Sequence, residues 1–500
     1  MTPPISHDHG NHRAGLSFAD LWESLLPVGR DSGAGGYRRF SWTDADAGCR
    51  DWFFKAAAKR HLPATVDRNG NLWAWWNPPR AAPAAAASGE LSRPPAELGT
   101  GGDLAPRGSA EPSPAPAELG TGEPPLADCA GAIVAGSHLD SVPDGGAFDG
   151  PLGVVSAFAA IDLLRERGVE PARPLAVAAF TEEEGARFGI ACLGSRLLVG
   201  AIDPESARAL SDASGTTLAQ AMTWAGYDPA GLGTDDGLLS AVAAYVELHI
   251  EQGRALAGMG AAVAVADRIW PHGRWRFTFT GRADHAGTAA LADRQDPVLP
   301  FATAVLTARR AAAVHGARAT VGKVIAAPGA VNAVGSSVTA WLDARAPDET
   351  VLEAVVHQVV AAARDAAAAH SVTMEARQES VTPAVEFDPA LRHTLVSSLA
   401  ARGITAPVLP TAAGHDAGIL AAKVPTAMLF VRNPSGVSHS PAEHADLADC
   451  EAGVRALAAV LEDLVCAPAG QPWAAPPERQ PSAAQTAPEA PAPRSRGLGR

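Results

Sequence analysis

The chain has 500 residues, enough for two or three domains with sizeable cores, and a formal net charge of −14. No Lys/Arg-rich block occurs, which argues against nucleic acid or an anionic membrane as partner, and no apolar stretch approaches the roughly 18 residues of a membrane span. The N-terminus lacks a basic-then-hydrophobic leader pattern, and the five cysteines form no Cys-x-x-Cys pair. Reduced thiols in a cytoplasmic protein are therefore expected, neither a disulfide frame nor a zinc ribbon.

Along the chain, His7, His9 and His12 sit in a polar tail and read as solvated. Phe18, Leu21, Leu25 and Leu26 then fall near helical spacing, and Trp52, Phe53 and Leu62 suggest a second helix. Asp67-Arg-Asn-Gly-Asn71 turns the chain into the apolar run Leu72-Trp-Ala-Trp-Trp76. From about 78 to 126 the composition becomes Ala/Pro/Gly/Ser-rich, with Pro-Ala-Glu-Leu-Gly-Thr-Gly repeated at 95–101 and 116–122. Two copies without hydrophobic faces cannot stack into a solenoid, so a low-complexity surface insertion is expected.

A regular alternation follows. A strand at 131–137 leads to a helix with Val154, Phe158, Ile161 and Leu164 on one face, closed at Gly168, and then to a strand at 174–180. This β-α-β order predicts an α/β sheet covered by helices. After Gly253 the pattern changes. Arg274-Trp-Arg-Phe-Thr-Phe-Thr280 alternates with period two, followed by a helix over about 296–313, strands at 319–326 and 336–345, and a helix over about 348–369. That order suits a smaller α+β domain inserted in the larger one. The expected division is 17–253 and 372–466 for the larger domain, 254–371 for the insert, and 467–500 for a disordered tail.

Five stations carry chemistry. Gly136-Ser-His-Leu-Asp140 and its continuation to Asp149 place an imidazole and two carboxylates after an apolar run. Thr181-Glu-Glu-Glu-Gly185, His249-Ile-Glu-Gln-Gly253, Gly414-His-Asp416 and Ser438-His-Ser-Pro-Ala-Glu443 each put a His or Glu at or near an expected strand end. A neutral imidazole with carboxylates suits Zn²⁺ or Mn²⁺, and an outlying Asp can orient the imidazole. The carboxyl ends of strands in an open α/β sheet line one crevice, so residues far apart in sequence are expected to converge there.

Together with Ala283-Asp-His-Ala-Gly-Thr288 and Asn332-Ala-Val334, these segments resemble one branch of the binuclear-metal aminoacylase and carboxypeptidase superfamily. That branch contains allantoate amidohydrolases, N-carbamoyl-L-amino-acid hydrolases and β-ureidopropionases. The resemblance runs from about 20 to 465, excluding the 78–126 insertion. It implies a mixed-sheet catalytic domain interrupted by a lid domain that dimerises, and two divalent ions per subunit (Mn or Zn, or else Co or Ni). One ion would be held by His138, Asp149 and His249, the other by Asp149, Glu184 and His439, with Asp149 bridging. Asp140 would orient His138, and Glu183 would be the catalytic carboxylate. His285 would meet the developing oxyanion, Asn332 and Arg345 would hold a substrate carboxylate, and His415 and Gln252 would line the pocket. The implied substrate is a small ureido carboxylate: allantoate first, an N-carbamoyl-L-amino acid second, another N-acyl amino acid third. A carboxypeptidase-like peptidase and a non-catalytic binding relative are the other readings. The chain departs from the family after Thr288, where it reads Ala289-Ala-Leu-Ala-Asp-Arg-Gln-Asp296.

Overall fold

A computed structural model describes residues 17–78 and 129–468. The expected insertion and C-terminal tail, apart from their first residues, and the three N-terminal histidines lie outside the described residues. The strands in chain order are β1 (Ala64–Val66), β2 (Leu72–Trp76), β3 (Ala132–His138), β4 (Leu175–Phe180), β5 (Val242–Ile250), β6 (Val263–Ile269), β7 (His272–Thr280) and β8 (Asp284–His285). They continue with β9 (Arg318–Ala327), β10 (Ala333–Val334), β11 (Ser337–Arg345), β12 (Thr373–Thr382), β13 (Val385–Glu386), β14 (Val408–Thr411) and β15 (Thr426–Val431).

Nine strands build one mixed sheet in the order β1-β2-β4-β3-β5-β15-β6-β13, with β14 also paired to β6. The central pairs β4–β3, β3–β5 and β5–β15 are parallel, and the flanking β2–β4 and β15–β6 pairs are antiparallel. Because strand side chains alternate, β3 feeds two cores at once. Ile133 and Ala135 join the cluster containing helices Phe18–Leu25, Pro151–Glu166 and Leu447–Cys466, while Ala132 and Val134 face Leu198, Leu238 and Leu420 on the other side. Helices on both faces explain why the central strands are near-continuous apolar runs. Each fully buried Leu, Ile or Phe contributes roughly 1.5–3 kcal/mol through removal from water.

The second sheet is antiparallel, in the order β12-β7-β11-β9, with helices Val298–His315 and Glu349–Ala369 packed on it around Phe277, Phe279 and Leu342. A separate two-stranded ladder pairs β8 with β10, joining Asp284–His285 to Ala333–Val334. Two expected boundaries move. Strand β6, placed by sequence in the 254–371 insert, pairs with β15 and buries Val263, Val265 and Ala266 in the large sheet. Strand β12, placed by sequence after 371 in the larger domain, pairs along its length with β7. By sheet membership the insert begins with β7 and ends with β12. The change of hydrophobic period marks a type of strand, and strand partnership is set by distant residues the local pattern does not carry.

Candidate metal centre

The four adjacent parallel strands β4, β3, β5 and β15 end on the same edge of the sheet, and the expected site residues gather there. His138 is the last residue of β3, His249 lies one residue from the end of β5, Glu183 and Glu184 follow β4, and His439 follows β15. Asp149 comes just before helix Pro151–Glu166, and the intervening Gly150 has φ +84. A Cβ on Gly150 would stand 2.4 Å from the His138 ring, so only glycine lets the chain pass this close behind the imidazole.

Asp149 divides its two oxygens between two groups. Its Oδ1 lies 3.1 Å from His249 Nε2 and 3.7 Å from His138 Nε2, and its Oδ2 lies 3.3 Å from His439 Nε2. His439 Nε2 is also 3.5 Å from Glu184 Oε2. In the sets His138/Asp149/His249 and Asp149/Glu184/His439, one ligand atom from each residue lies within 4.8 Å of the others. These are the two ligand sets the resemblance implies, and they share Asp149.

The imidazoles are oriented from behind. His249 Nδ1 is 2.9 Å from the Ile250 carbonyl, and His138 Nδ1 is 3.2 Å from the Asp140 carbonyl and 3.4 Å from Asp140 Oδ1. A donating Nδ1–H on each ring turns the Nε2 lone pair toward Asp149. Asp140 does more than hold the ring: its Oδ1 accepts from Glu183 N at 3.2 Å and its Oδ2 from Glu184 N at 3.1 Å. Glu182, just before them, takes φ +56 and is locked by its own carboxylate, which accepts from Arg187 N and Phe188 N at 2.9 and 2.8 Å.

Burial raises the Glu183 carboxyl well above its ordinary pKa and, with Asp149 beside it, pushes Glu184 up to about 7. Burial also acts against ionised Asp149, yet the His138, His249 and His439 imidazoles around it hold its carboxyl well below the ordinary value. The hydrogen bond to Asp149 lifts His439 to about 9. So many buried carboxylates around three imidazoles make a site whose charge a divalent cation would balance. His138 Nε2, His249 Nε2 and Glu184 Oε1 are buried and have no hydrogen-bond partner. The N/O donor set and these free lone pairs fit Zn²⁺ or Mn²⁺.

The remaining expected residues divide. Gln252 Nε2 donates to Asp149 Oδ2 at 2.7 Å, so it touches the shared carboxylate itself. His415 is buried, with its ring centroid 4.4 Å from that of His249; burial and His249 hold its pKa well below normal, so it is neutral. Arg345 ends β11 and reaches across to the larger domain, donating to the Ala412 carbonyl at 2.8 Å, while Asp343 takes its Nε at 2.9 Å. His285 and Asn332 are exposed on the smaller domain, linked to each other's strand by the Ala286 N–H to Asn332 carbonyl bond. Their described hydrogen bonds are local, and none joins them to the centre.

Sequence reasoning assigned no role to several residues that support the site. Glu443 Oε1 accepts from Phe148 N and Asp149 N, both at 2.9 Å, and Ser438 Oγ lies 3.1 Å from both Glu443 Oε2 and Asp149 Oδ2. Glu247, fully buried on β5, accepts from Ser137 Oγ at 2.7 Å and Ala417 N at 2.9 Å, tying strand β3 and helix Asp416–Leu420 to β5. A buried acid in an otherwise apolar strand was the available signal for Glu247. Nothing in the spacing of His439-Ser-Pro-Ala-Glu443 tells which backbone the Glu reaches.

Fold and site together define a metal-dependent hydrolase of the α/β type with an inserted second domain. Residues 134–463 match the model of Peptidase family M20/M25/M40, and the chain belongs to that family. It is 38% identical over 341 residues to an N-carbamoyl-L-amino acid amidohydrolase of Geobacillus stearothermophilus, covering 66% of this chain and 80% of that one. It is 32% identical over 338 residues to the allantoate amidohydrolase of Escherichia coli (strain K12), covering 66% and 81%. Among solved structures, an amidase of the hydantoinase/carbamoylase family from Burkholderia multivorans matches with a TM-score of 0.72 at 27% identity, over 91% of this chain and 99% of that one. AtUAH in complex with (S)-hydroxyglycine matches with a TM-score of 0.70 at 25% identity, over 90% and 98%. The chain is accordingly an amidohydrolase acting on C–N bonds. No helix among the described residues is long and apolar enough to cross a membrane.

Proposed function

We propose that this protein hydrolyses the ureido C–N bond of a small carboxylate, with allantoate as the first substrate to test. One observation carries the reading: Asp149 is shared between two ligand sets while Glu183, beside them, belongs to neither. His138, Asp149 and His249 would hold one divalent ion, and Asp149, Glu184 and His439 the other. When bound, the two ions supply a lowered pKa for water and polarise the substrate carbonyl.

Glu183 Oε2 lies 3.7 Å from His138 Nε2, close enough to the centre to act as general base. It takes a proton from water as the oxygen adds to the ureido carbon, and gives a proton to the departing nitrogen as the C–N bond breaks. For allantoate the nitrogen leaves as ammonia, and the remaining carbamate loses carbon dioxide to give ureidoglycine. Neutral His415 offers a buried Nε2 with no hydrogen-bond partner beside His249. Arg345 has the planar fork that suits a carboxylate, and its bond to the Ala412 carbonyl puts it at the junction of the two domains. His285 and Asn332 would join on movement of the smaller domain, His285 at the developing oxyanion and Asn332 at the carboxylate.

A second reading is an N-carbamoyl-L-amino acid. It is favoured by the 38% identity to the Geobacillus protein and by the two-carbon acid bound in the AtUAH structure. Ammonia release by metal-reconstituted protein from allantoate and N-carbamoyl amino acids, measured beside release of free amino acid from N-carbamoyl, N-formyl and N-acetyl amino acids and from dipeptides, tests both. Turnover of the acyl compounds or of dipeptides alone would overturn the ureido assignment.

We further infer that the smaller domain is a lid and that the protein is a homodimer through it. Strand β9 is the outer strand of its sheet, with Val324 and Ile325 45% and 54% exposed, and helix Val298–His315 leaves Leu306 and Val314 61% and 80% exposed. An apolar edge of this kind needs cover. Light scattering should report a dimer that Ile325→Lys breaks.

A further inference from the structure

We propose that the thiol of Cys192 positions Glu183, holding its Oε1 so that Oε2 is the oxygen left to exchange protons at the centre. The proposal rests on Glu183 being the catalytic carboxylate. Cys192 is nine residues beyond Glu183 and 3% exposed, and its Sγ lies 3.2 Å from Glu183 Oε1. Among the described residues it is the hydrogen-bond donor to that carboxylate, whose other oxygen faces His138 Nε2 at 3.7 Å.

The backbone shows why the contact is built in. Cys192 N donates to the Glu183 carbonyl at 2.6 Å, Leu193 N to the Glu182 carbonyl at 3.0 Å, and Gly194 N to the Thr181 carbonyl at 2.9 Å. The chain entering helix Leu193–Val199 is thus laced to the acidic loop, residue against residue. Cys192 itself takes φ +55, a conformation that side-chain-bearing residues seldom adopt. The placement of the thiol is therefore fixed by main chain, independently of the bond its sulfur makes. Burial, and Glu183 beside it, keep the sulfur protonated, so it serves as a donor and is a poor nucleophile. A glutamate has three side-chain torsions, and a general base must meet the attacking water within a narrow range of positions. One donor on the far oxygen, with Asp140 holding the Glu183 N–H, restricts that freedom.

The bland alternative is that Cys192 only fills space as a small apolar residue. The two differ in what serine does. In the metal-loaded enzyme, Cys192→Ala should lower kcat about tenfold with KM and metal content unchanged, and Cys192→Ser, which restores a donor, should recover most of that loss. A space-filler would make serine no better than alanine, and that result would overturn the proposal. Infrared spectroscopy reads the bond without any substrate. The S–H band isolated as wild type minus Cys192→Ala should lie at lower frequency than a free thiol and move back up in Glu183→Ala. A free-thiol frequency in the wild type would also overturn it. If Glu183→Gln keeps its turnover, the catalytic reading of Glu183 falls and the positioning role with it. If Glu183→Gln is inactive while Cys192→Ala matches wild type, only the positioning role falls.

Discussion

Removing the Glu443 carboxylate should weaken both metal ions at once. Its Oε1 is the acceptor for two neighbouring backbone donors, Phe148 N and Asp149 N, each at 2.9 Å, and Asp149 is the carboxylate shared by the two ligand sets. In Glu443→Ala both N–H groups lose their partner in a buried loop. Each such loss costs about 1–3 kcal/mol, so the fold should lose on the order of 2–6 kcal/mol before any water enters. Removing a group that orients a metal ligand typically weakens binding about 10–100-fold, equivalent to ~1.4–2.7 kcal/mol. Both ions should be affected, because Asp149 Oδ1 faces His138 and His249 while Oδ2 faces His439. Glu184→Ala, by contrast, should impair one site. Glu443→Gln keeps a carbonyl oxygen for the two N–H groups and should lose less than about tenfold. Chelator competition with Zn²⁺ and Mn²⁺ measures the affinities, and urea unfolding of the metal-free protein measures the stability. An alanine variant that binds both ions as tightly as wild type would mean that Glu443 does not set the position of Asp149. A glutamine variant as impaired as alanine would show that charge, and not the pair of hydrogen bonds, sets the position of Asp149.

Glu183→Gln should retain two ions by elemental analysis and lose turnover by about 10²–10⁴-fold, the usual worth of a general base; most activity surviving would remove Glu183 from that role. Gly150→Ala should bind metal more weakly and fold less stably, because its Cβ would meet the His138 ring at 2.4 Å and its φ is +84. Unaltered chelator competition in that variant would contradict the close approach. Asp67 gives a pH dependence away from the centre. Burial outweighs the hydrogen bonds from Asn71, Asn69 and Trp73 and pushes its pKa from 3.8 to about 6. The folded state therefore holds this proton more tightly than the unfolded chain does. The group's contribution is most favourable below about pH 4 and declines as pH rises through about 6, by ~3 kcal/mol in all. Urea midpoints across this range should change less in Asp67→Asn than in wild type, and equal slopes would exclude Asp67 as the source.

The sequence marked several central strands of the large sheet and, through the family resemblance of its motifs, the candidate ligands of the site. Apolar runs such as Ala132–His138 and Thr426–Val431 mark buried strands, and a His or Glu at or just beyond such a run is poor packing material there. Strand ends on one edge of a parallel sheet converge, so the motif stations were legible as a group despite separations of up to about 300 residues, and the resemblance singled out His138, Asp149, Glu184, His249 and His439 among them. The helices of the smaller domain were legible for the same local reason, since Glu349–Ala369 carries its own periodicity.

Which neighbours each strand takes, and which supporting groups stand behind the ligands, emerges from packing between distant parts of the chain. Strand β6 joins the large sheet beside β15, and β12 completes the small one against β7, because pairing is chosen by register with residues far along the chain. The reach of Glu443 to Asp149 and of Cys192 to Glu183 depends on loops folding back across the sheet edge, which leaves no period in the sequence. Local pattern encodes burial and conformation; the angle at which a side chain meets a distant backbone exists only once the chain is packed.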